Sequence, residues 1–488
     1  MQQLKAQNAY ETQLSVKFTN QTLEQILDSI SSITDLRFSF NSDIIPKTNI
    51  AAFNCSNLNV YSALDSLLAR FRLDWTKVEN QIVITAKAPQ VTQVTYGKPG
   101  AGFIRLTGKI IDKIDQEPVP YAYIRIAGKN IGTITNEDGD FVFTYPYDTF
   151  KYIISISSLG FKTLSLPATE LVDGKTWQLQ RESILLKEVI IRSNDPKSII
   201  RKSIEAIPAN FRNKAIMETG FYRETLQKNN HYIVLSEAIV NIFKSSYSRP
   251  YQVDQIKVFK GRKSSDKSQY DTVLFKVQGG LYNSLLLDIV KHIPSFMDEN
   301  DFKFYDYKMG LIQKVDDEMA YSIEFDQKDG IEDPYFKGKL LVAVNSLAIL
   351  GAEFSISPKA INNAASQLVK KAPRYLKVKP ISVDYLVNFA NIDGKWQLNY
   401  IRVQIEMRVR KKSSLFNSLY TSVSEMVITS TDTLPARPFK FSETAHSNDV
   451  FIDHLDSYDP DFWGVYNYIK PEEKLEETLQ RLFPEKSK

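Results

Sequence analysis

The chain has few of the side chains that most often carry reactive chemistry. Its 488 residues include one cysteine and four histidines. A disulfide within the chain is therefore excluded, and a thiol nucleophile would need a histidine brought close to Cys55. Cys55 lies in IAAFNCSNLNV (residues 50–60), a context that favours packing as a small hydrophobic side chain. The lack of disulfides leaves the compartment open, because many exported proteins have none.

The chain also lacks a strong excess of one charge. It has 61 basic and 57 acidic residues, a net charge of +4, whereas nucleic-acid binders concentrate basic residues on one face. Nucleic acid is therefore not an expected partner. Two basic clusters, residues 257–267 and 408–414, are interpreted as solvated hairpin ends, with contact to anionic lipid or polysaccharide as the alternative.

Long apolar runs are absent as well. No run of 18 apolar residues occurs, so no transmembrane helix is predicted. The N-terminal stretch MQQLKAQNAYETQLS lacks the apolar core of a signal peptide. Two interpretations follow: a cytosolic protein, or a mature form numbered after cleavage.

The chain does have many aromatic residues and an ordinary hydrophobic content. Hydrophobic residues make up 43% and aromatic residues 12% of the sequence, which favours β-structure because aromatic rings fit a half-buried pleated face. The length predicts about three domains, each able to bury a core. The predicted fold class is multidomain and mostly β: a small α+β domain, a β-sandwich and a large antiparallel β-rich domain with helical inserts.

Residues 10–86 alternate strand and helix patterns twice. Apolar residues recur at helical spacing in TLEQILDSISSIT (22–34) and NVYSALDSLLARF (59–71), with strands predicted at 14–18, 37–41 and in a final hairpin. This stretch resembles the secretin and TonB short N-terminal domain, in which the same order of elements occurs. The sequence FRL (71–73) replaces the usual TGL. Residues 86–103 are predicted to be a linker.

Residues 104–192 consist of short β-runs separated by turns, a spacing typical of a small β-sandwich. Within them, IGTITNEDGDFVF (131–143) crowds acidic side chains around Gly139. As an EF-hand loop this stretch would place Ile134 and Tyr145 at positions 1 and 12, where ligands are required. We therefore predict a hairpin turn in which Gly139 supplies a positive φ.

The same region resembles the carboxypeptidase-regulatory-like domain, a transthyretin-like sandwich without zinc ligands. The resemblance implies that Phe141 points into the sandwich and that the acidic stretch is the family's hairpin. The matching positions are Gly108, Pro118, Pro120, Ala122, Gly132, Thr135, Gly139, Phe141, Gly160 and Phe161.

Residues 193–488 alternate long β-runs with turns, which predicts an antiparallel meander. Helices are predicted at residues 194–208, 281–293, 361–371 and 471–483. The strand lengths are similar to the half-barrel of lipoprotein carriers, in which curved strands wrap around helices above an apolar cavity. A lipid, lipoprotein or glycan carrier is one function that this similarity implies.

Motifs for catalysis are sparse. Neither an H-E-x-x-H zinc motif nor a G-x-S-x-G nucleophile elbow occurs. His446 and His454 lie among aspartates over residues 446–461. This stretch has two interpretations, a histidine–carboxylate metal site or a polar loop. Glu324 and Asp326 could pair as in a glycosidase, although a chain with 57 acidic residues forms such pairs by chance. The sequence therefore predicts no enzyme, with a hydrolase as the lesser alternative, and no metal or cofactor.

The order of the first two regions resembles the periplasmic front of TonB-dependent outer-membrane receptors. The remaining chain is too short for their transmembrane barrel, so the resemblance implies a barrel-less relative. We expect an exported, non-enzymatic protein in the Gram-negative periplasm, associated with the outer membrane. It would bind a protein complex there or an envelope ligand such as lipid or glycan.

One segment suggests where binding would occur. LYNSLLLDIVKHIPSF (281–296) has apolar residues on more than one helical face, more than the single stripe that a surface helix needs. The segment is either buried on all sides or lines a cavity or partner surface. The candidate binding residues are Leu285, Leu287, Val290 and Phe296.

Overall fold

The structure is a computed structural model, and it divides the chain into two compact units, residues 1–92 and 93–488. The boundary falls inside the predicted linker. The three-domain division of the sequence stays a prediction. The structure describes residues 13–482 except for 35, 41–44, 47, 72, 79–80, 87–101, 130, 147–151, 183–194, 250, 266–275, 278–279, 316–317, 365–367, 372–373, 415, 433–435, 447–450, 452–455 and 458–462.

The first unit is a small α+β fold. Its elements are β1 (Gln13–Gln21), α1 (Leu23–Ile33), β2 (Arg37–Phe40), β3 (Ile50–Asn59), α2 (Val60–Ala69), β4 (Leu73–Val78) and β5 (Gln81–Ala86). Strand β1 pairs with β3, and β2, β5 and β4 form a second sheet. Helix α1 begins with a capping box between Thr22 and Gln25. Cys55 is buried in the core of this unit, as expected.

The sandwich begins the second unit. Its strands are β6 (Phe103–Asp112), β7 (Tyr123–Ile126), β8 (Gly132–Ile134), β9 (Asp140–Pro146), β10 (Ile153–Ser157), β11 (Leu164–Pro167) and β12 (Lys175–Leu179). They form two sheets, in the orders β11-β10-β7-β8 and β12-β6-β9. Phe141 is fully buried between them, as predicted. A Cβ at Gly108 would lie 2.5 Å from the Trp177 ring, so the core requires glycine there.

A twelve-stranded sheet follows the sandwich. Its strands are β13 (Ile216–Lys228), β14 (His231–Lys244), β15 (Gln255–Ser265), β17 (Tyr305–Met309), β18 (Gln313–Val315), β19 (Glu318–Gln327), β20 (Phe336–Ala343), β21 (Ile349–Ile356), β23 (Leu376–Ile392), β24 (Lys395–Lys411), β25 (Ser418–Asp432) and β26 (Asp456–Ser457). The order is β17-β19-β20-β21-β23-β24-β25-β13-β14-β15-β26, with β18 paired to β19. All pairs except β15–β26 are antiparallel. The predicted mostly-β, antiparallel fold class is confirmed.

The described helices of the second unit are shorter than the sequence pattern predicts. Helices α3 (Pro196–Glu205), α4 (Ile207–Asn210) and α6 (Glu473–Leu482) lie within or next to predicted segments, whereas α5 (Leu281–Leu285) covers only the start of 281–293. The helix predicted at 361–371 is only partly observed. Ile361–Ala364 form a 3₁₀ turn, Leu368 is helical, and residues 365–367 lie outside the described residues. At the end of the predicted segment, Val369–Lys371 form β22, which pairs with β16 (Lys276–Val277), so cross-strand hydrogen bonds replace the helix there.

The sandwich and the large sheet share a hydrophobic cluster. Tyr123 and Ile134 of the sandwich pack with Phe221, Tyr400 and Trp463. A bridge between Ile131 and Ser430 also joins the two parts. The sandwich is therefore fixed against the sheet, and together they form one compact unit.

None of the helices within the described residues combines the length and apolar character that crossing a bilayer requires.

Candidate binding cleft between the sandwich and the large sheet

The acidic stretch of the sandwich is a tight turn. Gly139 has a φ of 77°, the left-handed conformation that glycine adopts without steric cost. The Gly139 amide donates to the Asn136 carbonyl at 3.1 Å, and the Asp140 amide donates to Asn136 Oδ1 at 2.8 Å. Among the described residues no group of three or more histidine, cysteine or acidic side chains is placed to hold a metal ion. The predicted turn with a positive φ at Gly139 is confirmed, whereas the predicted hairpin is wrong. Strand β8 before the turn pairs with β7 and strand β9 after it pairs with β6, so the turn carries the chain from one sheet of the sandwich to the other.

Asn136 and the acidic side chains of this turn hold the C-terminal segment. Asn136 Nδ2 donates to the Pro471 carbonyl at 3.1 Å, and the Glu473 amide donates to Asp138 Oδ2 at 2.8 Å. Lys470 Nζ lies 3.5 Å from Asp140 Oδ2. Because Glu473 is the first residue of α6, the Asp138 carboxylate satisfies an amide that has no partner within the helix.

Glu137 of the same turn connects the sandwich to strand β24. It forms an ion pair with Arg402, and its Oε1 accepts from the Tyr121 hydroxyl at 3.0 Å. Tyr121 stacks on Tyr400 with 5.5 Å between ring centroids. Burial opposes the charge of Arg402, but Tyr400, Tyr121, Glu425 and Glu137 outweigh it and raise the pKa of the guanidinium. Arg402 is therefore a fixed positive charge.

A cleft of about 520 Å³ opens beside Arg402. Loops of the sandwich, residues 117–121 and 158–161, form one wall, and strands β21, β23 and β24 form the other. Its volume falls in the range of about 300–1,000 Å³ typical of ligand sites. The lining is Asp112, Glu117, Pro118, Val119, Pro120, Tyr121, Ser158, Leu159, Phe161, Arg181, Glu353, Asp384, Tyr385, Leu386, Asn388, Arg402 and Gln404.

The two arginines of the cleft are already neutralised. Arg181 forms ion pairs with Asp112 and Asp115, and Arg402 pairs with Glu137 and lies 4.0 Å from Glu425 Oε2.

Two carboxylates of the cleft are without such compensation. Glu117 and Asp384 are exposed, and neither has an ion pair among the described residues. Glu353, which is 60% exposed, pairs with Lys339 at 2.7 Å. The cleft is therefore acidic at its mouth, in a chain with a net charge of +4.

Residues 106–191 match the CarboxypepD_reg-like domain. The match confirms the regulatory-like assignment of the sandwich, which supplies one wall of the cleft. It does not extend over the strands that supply the other wall. The assignment of residues 10–86 to the short N-terminal domain stays a prediction.

Solved structures show only distant likeness to the chain. A DUF1329 family protein from Desulfovibrio piger is 13% identical, over 51% of this chain and 99% of that one, with a TM-score of 0.24. Lipovitellin is 6% identical over 47% and 26% of the two chains, with a TM-score of 0.22. The outer-membrane ferripyoverdine receptor of Pseudomonas aeruginosa is 10% identical over 85% and 56%, with a TM-score of 0.18. Scores this low support no inference about fold or function. No curated protein matches the chain.

The four candidate binding residues of the sequence lie away from this cleft. Leu285, Val290 and Phe296 are buried in the largest hydrophobic cluster, and Leu287 is half-buried against it. Burial thus accounts for the excess of apolar residues in this segment, and a binding role for the four residues stays a prediction. Neighbouring Leu281 lines a pocket of about 320 Å³.

That smaller pocket lies at the other end of the same segment. Leu281, Tyr282, Val258, Phe451 and His446 line it, together with residues 442–445. The centroid of the His446 ring lies 4.1 Å from that of the Phe441 ring, and the two planes are tilted by 30°. Because His454 and most aspartates of 446–461 lie outside the described residues, the metal hypothesis for that stretch stays a prediction.

A buried charge cluster holds the 281–297 segment on the sheet, and sequence reasoning missed it. Lys244 Nζ lies 2.7 Å from Asp254 Oδ2 and also contacts Asp288. Lys291 pairs with Asp254, and the Tyr247 hydroxyl donates to Asp288 Oδ2 at 2.8 Å. Two positive and two negative charges thus compensate one another in the core. The only signal in the sequence is the spacing of Asp288 and Lys291 inside an otherwise apolar run.

Proposed function

We propose that this chain is a non-enzymatic binding protein of the Gram-negative envelope, and that its ligand enters the cleft between the sandwich and the large sheet. The observation that carries the proposal is the cleft itself. It has the volume of a ligand site, two walls from different parts of one compact unit, and a mixed apolar and charged lining.

The walls of the cleft are held in place before any ligand arrives. The Glu137–Arg402 pair joins the turn of the sandwich to β24, and Tyr121 stacks on Tyr400. A ligand would therefore bind without first ordering the site, which lowers the entropic cost of association. Preorganisation of this kind supports a binding role.

We place the protein in the periplasm, associated with the outer membrane beside a transport or assembly complex. The regulatory-like sandwich supports this placement, since the sequence order resembles the periplasmic front of outer-membrane receptors. Fractionation of native cells tests it. Recovery of the protein in the cytosolic fraction would contradict the placement.

A site-specific crosslink tests the binding role. A photo-crosslinking residue is introduced at Leu159, a cleft residue that is 38% exposed, and as a control at Val172, a sandwich residue outside the cleft that is 55% exposed. After irradiation of intact cells we expect a discrete adduct from position 159 and none from position 172. No adduct, or the same adducts at both positions, would contradict a ligand in the cleft.

A second candidate function is transport of a lipid, lipoprotein or glycan by the C-terminal part. The pocket of about 320 Å³ supports it, since Leu281, Val258 and Phe451 give it an apolar side. Titration with a fluorescent fatty acid tests this candidate. Binding that is lost in Val258→Asp and kept in Leu286→Asp would favour it, because Val258 lines the pocket and is only half-buried, whereas Leu286 lies outside the pocket.

A further inference from the structure

We propose that the occupant of the cleft is a peptide segment of a partner protein that carries lysine or arginine beside apolar residues. This inference rests on the proposed binding role of the cleft and names the chemistry of its ligand. Charge, apolar surface and shape support it independently.

The charges of the cleft select a cation. Each arginine is compensated by neighbouring carboxylates, so neither is available to an anionic ligand without breaking an existing pair. Glu117 and Asp384 lie at the mouth, and no ion pair engages them within the described part of the chain. Glu353 adds a third carboxylate, shared with Lys339. A positive ligand group would find partners here, whereas a negative one would be repelled.

The apolar surface of the cleft matches the stem of a basic side chain. Leu159, Phe161 and Leu386 line it beside Tyr385. Tyr385 stacks on Phe354 with 4.8 Å between centroids and 15° between planes, so the ring is held rigidly by one face. Lysine and arginine lay their methylene stems on such surfaces and keep their charge at the rim. A cation over a tyrosine ring gains a further attraction.

The shape of the cleft favours a peptide over a compact amine. One wall is made of loops and the other of strands, so a ligand of several residues would contact both walls at once. Asn388 lies in the strand wall. Its carboxamide offers both a donor and an acceptor, as a peptide backbone requires.

Fluorescence anisotropy with the purified chain tests this inference. The probe is a labelled hexapeptide, Gly-Phe-Lys-Phe-Arg-Gly, and its matched control carries acetyl-lysine and citrulline in place of the two basic residues. We expect the basic peptide to bind more tightly than the neutral one. Its affinity should fall as salt is raised, because the contacts at the mouth are exposed to solvent.

Two substitutions link the binding to the mouth of the cleft. Combining Glu117→Gln with Asp384→Asn removes two charges and keeps the side-chain shapes. We expect the basic peptide to bind about three- to tenfold more weakly to this variant, the combined effect of two exposed pairs. Asp329→Asn, at a side chain that is 93% exposed and outside the cleft, should bind like the wild type. Thermal melts confirm that all variants are folded.

The outcomes separate this inference from the proposed function. Equal binding of the basic and neutral peptides, or an unchanged affinity in the double variant, overturns the charge argument. Binding of maltoheptaose but of neither peptide, with a crosslink at position 159, overturns the peptide occupant and leaves the cleft as a binding site. If no probe binds and no adduct forms at position 159, the inference and the proposed function both fail.

Discussion

At the scale of single residues, the turn around Gly139 shows how location decides the role of an acidic cluster. Asn136, Glu137, Asp138 and Asp140 have the composition of a cation loop, yet each one contacts another part of the protein. Their partners are the C-terminal segment and strand β24, which lie far away in sequence. The cluster therefore joins the sandwich to the sheet and to the last helix.

Asp138→Ala should cost about 1 kcal/mol or less of unfolding free energy. The change removes one exposed cap on the Glu473 amide, a contact of the kind that contributes about 0.5–2 kcal/mol. Urea denaturation with and without 5 mM calcium measures it. Calcium-dependent stabilisation of the wild type that disappears in the variant would restore the metal interpretation.

Glu218 is a buried acid whose protonation affects stability. It is 2% exposed, and both of its carboxylate oxygens have no hydrogen-bond partner within the described residues. Burial raises its pKa to about 8, against the opposing attraction of Lys244. The folded protein therefore favours the protonated form of Glu218. The unfolding free energy is highest below the unfolded pKa of about 4.3 and falls as pH rises from there through the folded pKa.

Glu218→Gln should thus become more stable than the wild type as pH increases. The glutamine keeps the shape of the protonated acid and cannot ionise, so we expect the difference in unfolding free energy to grow by a few kcal/mol between pH 5 and pH 9. Urea denaturation across this range measures it. Glu299→Gln, at a side chain that is 66% exposed, is the control. Parallel pH profiles for wild type and Glu218→Gln would contradict the burial argument.

At the scale of elements, the 281–297 segment shows why helical spacing failed as a predictor. Helix α5 ends at Leu285. The Asp288 carbonyl then accepts from the His292 amide, and the Asp288 carboxylate accepts from the Val290 amide. Turns of this kind let Asp288 and Lys291 reach the charges of Lys244 and Asp254. Buried ions without partners are far more costly than a shortened helix, so the charge cluster sets the local conformation.

Val290→Asp should destabilise the second unit by about 3 kcal/mol or more, because it adds an unpaired charge to the core. Val290 is 4% exposed, whereas nearby Leu286 is 40% exposed. Leu286→Asp is therefore the matched control, and we expect it to cost less than about 1 kcal/mol. Chemical denaturation compares the two. Similar stabilities for both variants would indicate that the segment is not part of the core.

At the scale of the whole molecule, the sandwich and the sheet belong to one unit. They share the cluster around Phe221 and Tyr400, and the turn of the sandwich holds α6. The cleft exists because these two parts are fixed beside each other. A match to the sandwich family therefore describes one wall of the site, while the specificity of the cleft also depends on strands β21, β23 and β24.

Calorimetry should show two unfolding transitions, one for each compact unit. Phe141 lies in the centre of the sandwich, and Phe141→Ala should lower unfolding free energy by about 3–5 kcal/mol. We expect this loss to appear across the whole transition of the second unit, since the sandwich and the sheet share a core. A separate third transition that alone responds to Phe141→Ala would show that the sandwich folds independently.

The sequence determined the features that depend on local chemistry. Alternating β-runs predicted an antiparallel, mostly-β fold. A turn with positive φ was predicted at Gly139, and Phe141 was predicted to lie in the centre of the sandwich. The first two follow from the two-residue period of a strand and from backbone geometry, whereas the place of Phe141 was implied by the resemblance to the regulatory-like domain. These signals lie within a few residues of one another, so one sequence is enough to detect them.

Only the tertiary structure decided the cleft and the buried charge cluster. Glu117 and Asp384 lie on different parts of the chain, and no local pattern indicates that they share a mouth. The same holds for Lys244 and Asp288, which contact each other across 44 positions. Such pairings depend on long-range packing, and a chain with 57 acidic and 61 basic residues allows many of them. The physical reason is that burial and pairing of charges are properties of the assembled core, where the low dielectric makes one arrangement far more stable than the rest.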